Sequence, residues 1–210
     1  MERKLPIARE GWPFVVVPGA VAVALALLGR RVLALPFAAA SLASLGFFRD
    51  PERVIPAVGN GALSPADGTV TSVDEAVDPF VGAAVRVSIF LSPLDVHVNR
   101  APIAGLVVDT AYTRGRFVAA YTPEAGEVNE RCTIRIQGEA ARVTVVQIAG
   151  VVARRIVCRV TAGQKLEAGE RFGLIRFGSR TDCYMPRGTT LHVGVGDRVI
   201  GGVTVLGTLP

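Results

Sequence analysis

The sequence predicts a mainly β fold, a sandwich or barrel, preceded by an N-terminal apolar helical hairpin. Three observations predict it. Residues 14–28 (FVVVPGAVAVALALL) and 32–48 (VLALPFAAASLASLGFF) are apolar runs parted by Gly29-Arg30-Arg31. After Arg49-Asp50-Pro51-Glu52-Arg53 the apolar runs become short, β-branched and punctuated by Gly and Pro. A turn pattern also occurs twice, as Gly163-Gln164-Lys165-Leu166-Glu167-Ala168-Gly169 and Gly196-Asp197-Arg198-Val199-Ile200-Gly201-Gly202.

The hairpin comes first. A bilayer span needs about 20 apolar residues, so each run is marginal. The arginine pair at the tip is costly to translocate, and the basic start favours a cytoplasmic N-terminus. The expectation is a shallow hairpin seated in the cytoplasmic leaflet. Two short spans, a signal peptide and a buried core hairpin are the competing readings. Residues 1–50 hold six Lys/Arg (Arg3, Lys4, Arg9, Arg30, Arg31, Arg49) against Glu2, Glu10 and Asp50, which is +3 of the chain's net +5. Basic residues beside apolar runs suit an anionic lipid surface. No aromatic-interleaved basic stripe or recognition helix points to nucleic acid.

The strands follow. Val85, Val87, Ile89 and Leu91 alternate with Arg86, Ser88 and Phe90, the period of a half-buried strand. Residues 132–136, 142–148, 154–160 and 190–195 read the same way. Each copy of the repeated pattern reads as a turn into a short strand, with glycine supplying positive φ. Such turns resemble those of lipoyl- and biotinyl-type β-sandwich domains. The predicted division is a membrane-associating hairpin over 1–48 and a β-rich domain over 49–210.

Several chemistries are disfavoured by count. The cysteines are Cys132, Cys158 and Cys183, odd in number and without a Cys-x-x-Cys, which argues against a disulfide framework or zinc site. His97 and His192 are the two histidines, in different segments, so no metal site is expected.

Four clusters could carry chemistry. In Phe177-Gly178-Ser179-Arg180 a hydroxyl follows glycine, whose carbonyl is uncrowded and open to attack. Gly-Ser also occurs in ordinary turns. Two prolines fence Leu91-Ser92-Pro93-Leu94-Asp95-Val96-His97-Val98-Asn99-Arg100-Ala101-Pro102, where His97 could act as acid or base or be a hydrogen-bonded structural residue. Alternation puts it on the face opposite Val96 and Val98. His192 alternates against Leu191 and Val193 and reads as facing solvent. Ser64-Pro65-Ala66-Asp67-Gly68 is a tight turn, whose Asp67 could be a turn residue or a carboxylate that orients an imidazole. Asn129-Glu130-Arg131 could bind a phosphate or carboxylate, or be a solvated loop.

Together and in order these segments resemble the phosphatidylserine decarboxylase family, in its short bacterial and archaeal form. The matching pieces are Phe47-Phe48-Arg49-Asp50-Pro51, Ser64-Pro65-Ala66-Asp67-Gly68, Ser88-Ile89-Phe90-Leu91-Ser92-Pro93, Asp95-Val96-His97, Asn129-Glu130-Arg131, Gln147-Ile148-Ala149-Gly150 and Phe177-Gly178-Ser179. They run from about residue 47 to the C-terminus. The resemblance implies a proenzyme that cuts itself between Gly178 and Ser179 into chains 1–178 and 179–210, which stay together as a heterodimer. Ser179 would become a pyruvoyl group, the only cofactor, and form a Schiff base with phosphatidylserine. Asp67 and His97 match motif positions implicated in self-cleavage or catalysis. Longer members carry a second histidine three residues after the first, where this chain has Arg100. They also follow the serine with Thr, where this chain has Arg180. The expected enzyme works at the cytoplasmic face of the cell membrane, with Arg100, Asn129 and Arg131 as candidate substrate contacts. The competing functions are decarboxylation of another serine-headed lipid such as an archaeal ether lipid, a soluble pyruvoyl decarboxylase of amino acids, and a non-enzymatic membrane-anchored lipoyl-like adaptor.

Overall fold

The two apolar runs fold as helices α1 (Trp12–Leu27) and α2 (Arg31–Phe47) in a computed structural model, which describes residues 6–122, 124–151, 155–176 and 179–210. Pro13 sits in the first turn of α1, where its missing N–H costs nothing. Gly29, at φ +74°, turns the chain between the helices. The helices pack through small residues: Ser41 Oγ donates to the Val15 carbonyl at 2.7 Å, and a Cβ on Gly19 would lie 3.2 Å from that hydroxyl. Most large side chains point outward, including Val17 (62% exposed), Leu27 (84%) and Leu42 (67%). That is the reverse of a core hairpin, so the buried reading fails. The helical run Arg9–Leu27, of mean hydropathy 1.7, is long and apolar enough to cross a bilayer; α2 is shorter.

Contacts divide the chain into two units, Met1–Glu52 and Arg53–Pro210. The second is built on an eight-stranded sheet curled into a half-barrel. Its strands are β2 (Gly68–Asp78), β3 (Gly82–Leu91), β5 (Gly105–Thr113), β6 (Arg131–Gln137), β7 (Arg142–Ile148), β9 (Lys165–Leu166), β11 (Ser179–Pro186) and β13 (Arg198–Val199). They lie in the order β13-β2-β3-β11-β7-β6-β5-β9, every neighbouring pair antiparallel. A short helix, α3 (Ala125–Val128), interrupts the connection from β5 to β6. Two three-stranded sheets accompany the half-barrel. One has the order β4 (Val98–Arg100), β10 (Arg171–Ile175), β8 (Ile156–Cys158); the other β1 (Gly61–Leu63), β14 (Val205–Thr208), β12 (Thr190–Leu191).

The sequence periodicity locates the core. Val87, Ile89 and Leu91 of β3, Val143 and Val145 of β7, and Cys183 and Met185 of β11 are all buried in one cluster, with Phe172 and Ile175 of β10. The expected strand at 190–195 stops after Leu191. Gly194 and Gly196 follow, and Gly194 N donates to Asp197 Oδ2 in a turn at 2.8 Å. Of the expected strand at 154–160, Ile156–Cys158 is observed, while residues 152–154 lie outside the described residues. The repeated turns are built as anticipated: Gly163, Gly169, Gly196 and Gly202 all have positive φ, and each copy holds a two-residue strand.

Gly68 opens β2 at φ +151°, and a Cβ there would lie 2.1 Å from the Phe90 carbonyl oxygen. Backbone cannot yield as a side chain would. Gly68→Ala should therefore destabilise the β unit by roughly 3 kcal/mol and lower Tm by about 6–12 °C, measured by thermal unfolding. An unchanged Tm would show that β2 and β3 separate easily at this point.

Candidate functional site

β11 lies between β3 and β7, and Ser179 is its first residue, in register with Leu91. Ser179 is fully buried. Its face of the strand continues through Thr181 to the core residues Cys183 and Met185. Among the described residues, Ser179 Oγ has no hydrogen-bond partner. A buried hydroxyl left unbonded is costly, and such groups cluster where structure serves chemistry. Gly178 lies outside the described residues.

The opposite face of β11 carries an ion pair. Arg180 Nε and Nη2 donate to the two oxygens of Asp182 at 2.6 and 2.8 Å, and Nη2 also donates to Ser88 Oγ at 3.0 Å. Both residues are at least 95% buried. The fork geometry and the third bond fit the conditions under which a buried pair is tolerated. This pairing lets a polar run, Ser-Arg-Thr-Asp, occupy a central strand. Cys183 beside it is a core thiol, its pKa pushed up to about 12 by burial and then by the Asp182 charge.

His97 is also buried, together with Val96 and Val98 on either side, and the strand on which it was expected to alternate with them does not include it. Strand β4 begins only at Val98. His97 Nδ1 lies 2.9 Å from the Asp95 main-chain oxygen. That oxygen can only accept, so Nδ1 carries the proton and Nε2 is the basic nitrogen. Ile175 N donates to the His97 carbonyl at 3.3 Å, just beyond the β4–β10 ladder. His97 is thus tied to the end of β10, four residues before Ser179 in sequence. His192 is exposed, as expected, and its Nε2 lies 2.9 Å from Thr208 Oγ1.

The remaining predicted residues have definite partners. Asp67 forms a two-pronged ion pair with Arg53, at 2.6 and 2.8 Å, and accepts from Gly201 N at 2.8 Å. Asn129 is fully buried; its oxygen accepts from Val118 N, and its nitrogen donates to the carbonyls of Val118 and Ala149. Arg100 is buried, with Nη1 donating to the Gly169 carbonyl at 3.0 Å. Arg131 is partly exposed and donates to the Glu127 carbonyl. The fold therefore ties His97 to the end of β10, while Asp67 and Asn129 act as braces between segments.

Two features escaped the sequence reading. A chain of buried amides lies on the inner face: Gln147 Nε2 donates to Asn99 Oδ1 at 2.8 Å, and Asn99 Nδ2 donates to Thr181 Oγ1 at 3.1 Å and the Pro65 carbonyl at 3.3 Å. The alternation of Val143, Val145 and Gln147 in β7 was the available signal that Gln147 points inward. The cysteines are also less scattered in space than in sequence. Cys158 Sγ donates to the Val160 carbonyl at 3.5 Å, and its interaction with the Cys132 thiol holds the Cys158 pKa below the usual thiol value and raises that of Cys132. Among the described residues no group of three His, Cys, Asp or Glu could hold a metal ion. A groove of about 480 Å³, lined by residues 56–61, Ile103, Ala104, 138–141, Ala168 and Leu209, includes none of these site residues.

The family model described as phosphatidylserine decarboxylase matches residues 42–207. The chain is 46% identical over 202 residues to the phosphatidylserine decarboxylase proenzyme of Nitrosomonas europaea, spanning 95% of this chain and 94% of that one. It is 44% identical over 206 residues to the protein of the same name from Burkholderia pseudomallei, spanning 97% and 95%.

Asp95 closes the turn that leads into His97. Burial alone would raise its pKa, but hydrogen bonds from Arg198 and Ser92 outweigh that and hold it below the usual carboxylate value. Its contribution is present above the unfolded-state pKa of about 3.9 and is lost as pH falls through the lower folded-state value. Asp95→Asn should therefore lose Tm at neutral pH and show a shallower fall of Tm on acidification than the wild type. Parallel pH profiles would remove Asp95 from the acid response.

Proposed function

Since the chain belongs to the phosphatidylserine decarboxylase family, we propose that it matures by breaking its own peptide bond between Gly178 and Ser179, and that Ser179 supplies the catalytic carbonyl. Its activity is the decarboxylation of phosphatidylserine. The observation that carries the maturation reading is the buried, unbonded Ser179 Oγ at the head of a central strand.

The acyl shift needs one oxygen and little room. Ser179 Oγ attacks the carbonyl carbon of residue 178, and the peptide C–N bond gives way to an ester. Loss of the Ser179 α-proton then breaks the Cβ–O bond and frees the carboxylate of residue 178. Water replaces the remaining nitrogen, which leaves as ammonia, and a ketone remains at residue 179. Chains 1–178 and 179–210 stay associated through the β11 ladder. The residues present fit such a group, because the inner face next to Ser179 is apolar apart from the amide chain. When formed, the pyruvoyl group supplies an electron sink for the pair left behind as carbon dioxide departs.

His97 is assigned the proton transfers. Its Nδ1 is held by a carbonyl, so Nε2 can take a proton in maturation and return one to the carbon from which carbon dioxide has left. Asp67 is assigned a structural part in the same region through Arg53 and Gly201. Of the three predicted lipid contacts, Arg131 is assigned the phosphate, a reading supported by its partial exposure where Arg100 and Asn129 are buried. The apolar outer surfaces of α1 and α2 support seating in the membrane where the lipid is, and the Arg30-Arg31 pair between them favours its cytoplasmic face.

Intact mass of purified wild type should give two chains, 1–178 and 179–210, the smaller lacking an amino terminus. Ser179→Ala should remain a single chain; cleavage of that variant at residue 178 would refute the mechanism. His97→Ala should slow carbon dioxide release by at least about 100-fold, and wild-type rates of both splitting and decarboxylation would remove it from the chemistry.

A further inference from the structure

Ser179 Oγ shares its situation with a second buried atom. Gln147 is fully buried, and its Oε1 has no hydrogen-bond partner among the described residues. The identity of that atom follows from the chain of amides. The Pro65 carbonyl can only accept, so the Asn99 nitrogen must face it. Asn99 Oδ1 is then turned to Gln147, which must present Nε2 to it. Rotating the Gln147 amide would set two oxygens against each other. The leftover atom is therefore an acceptor, held in place by a neighbour that cannot reverse.

Its position relative to Ser179 is fixed by register. Gln147 stands opposite Thr181 in the β7–β11 ladder, so Ser179 is its diagonal neighbour on the same face. Diagonal pairs have Cβ atoms about 7 Å apart. That spacing suits one small group between them better than direct contact. The group must bring an N–H or O–H to a fixed carbonyl oxygen within an otherwise apolar wall. A serine headgroup has such a donor in its nitrogen, which must come to residue 179 to react.

We infer that Gln147 is a substrate-binding residue whose Oε1 accepts an N–H from the serine nitrogen of the lipid as it meets residue 179. This rests on the maturation reading above. A primary amine keeps an N–H when its nitrogen is bonded to a ketone carbon, whereas a secondary amine does not. The site therefore selects for an unmethylated serine nitrogen.

The test compares wild type and Gln147→Met, which keeps the length and removes the acceptor, on phosphatidylserine and phosphatidyl-N-methylserine. Gln147→Met should split into chains 1–178 and 179–210 as the wild type does. Its kcat/KM on phosphatidylserine should fall about 10- to 100-fold, the effect of losing a hydrogen bond to a charged group. Cyanoborohydride trapping should give correspondingly less lipid adduct on chain 179–210 by intact mass. Wild type should prefer phosphatidylserine over its N-methyl form by a similar factor, and Gln147→Met should not discriminate. A split variant with wild-type trapping and kcat/KM overturns the assignment, as does a folded variant that fails to split. If the variant does not fold, the wild type decides alone: equal use of the two lipids overturns the assignment. An unsplit wild type would sink the maturation reading too, and is recognised by mass before any lipid is added.

Discussion

Everything in the β unit depends on one strand being held from both sides. β11 makes eight paired positions with β3 and five with β7. Its inward face joins the core, and its outward face is closed by the Arg180–Asp182 pair. A strand so placed cannot shift register without carrying Cys183 and Met185 out of the core and breaking a buried ion pair. Its first residue is consequently fixed in depth and direction. The Ser179 hydroxyl is thus held in place by the packing of the rest of its strand. The same ladder explains how a C-terminal fragment beginning at Ser179 would remain in place without a covalent link.

The repeated turn noticed in the sequence is the visible trace of a larger regularity. β13 pairs Val199 with Gly68 and Arg198 with Thr69 on β2; β9 pairs Leu166 with Gly105 and Lys165 with Leu106 on β5. Gly68 and Gly105 correspond, each approaching a carbonyl oxygen of the next strand too closely for a Cβ. The sheet order thus reads as two similar halves, β13-β2-β3-β11 and β9-β5-β6-β7, joined between β11 and β7. Ser179 and Gln147 lie on the two strands of that seam. The halves differ in one connection: β2 and β3 are joined by a tight turn, while β5 and β6 are separated by the segment containing α3 and Asn129.

How much of this was legible follows from what each residue type can signal. β3 and β6 were readable because their inner faces are unbroken series of aliphatic or sulfur-bearing residues, and β7 because its inner face begins with Val143 and Val145. β11 was not, since Ser179, Arg180, Thr181 and Asp182 look like a solvated turn until Ser88, Asn99 and Ser92's neighbour β3 are brought alongside. Burial of those groups is a tertiary effect, set by partners up to 92 residues away. Ser179 was found through the order of short motifs, whereas periodicity would have passed over it. Asp67 and Asn129 were legible as important but not in their partners, because Arg53, Gly201, Val118 and Ala149 are distant in sequence. Gln147 was quoted as part of a motif, yet its unfilled oxygen is visible only once Pro65 fixes the direction of Asn99.

The two-residue strands β9 and β13 have a consequence for how copies of this chain behave beside one another. A curled sheet that is not closed has two open rims, and a long rim of unpaired amides recruits further strands. Here each outermost strand is only two residues long and covers just the first two residues of its neighbour, so the rest of β2 and of β5 completes the rim; Lys165 stands at the start of one rim and Arg198 at the start of the other. Along that remainder Asp74 and Glu75 on β2 and Asp109 on β5 set charged side chains at the rim, which a neighbouring polypeptide would have to accommodate. The half-barrel thus stays open without becoming adhesive, an advantage for a protein whose other unit exposes so much apolar side chain.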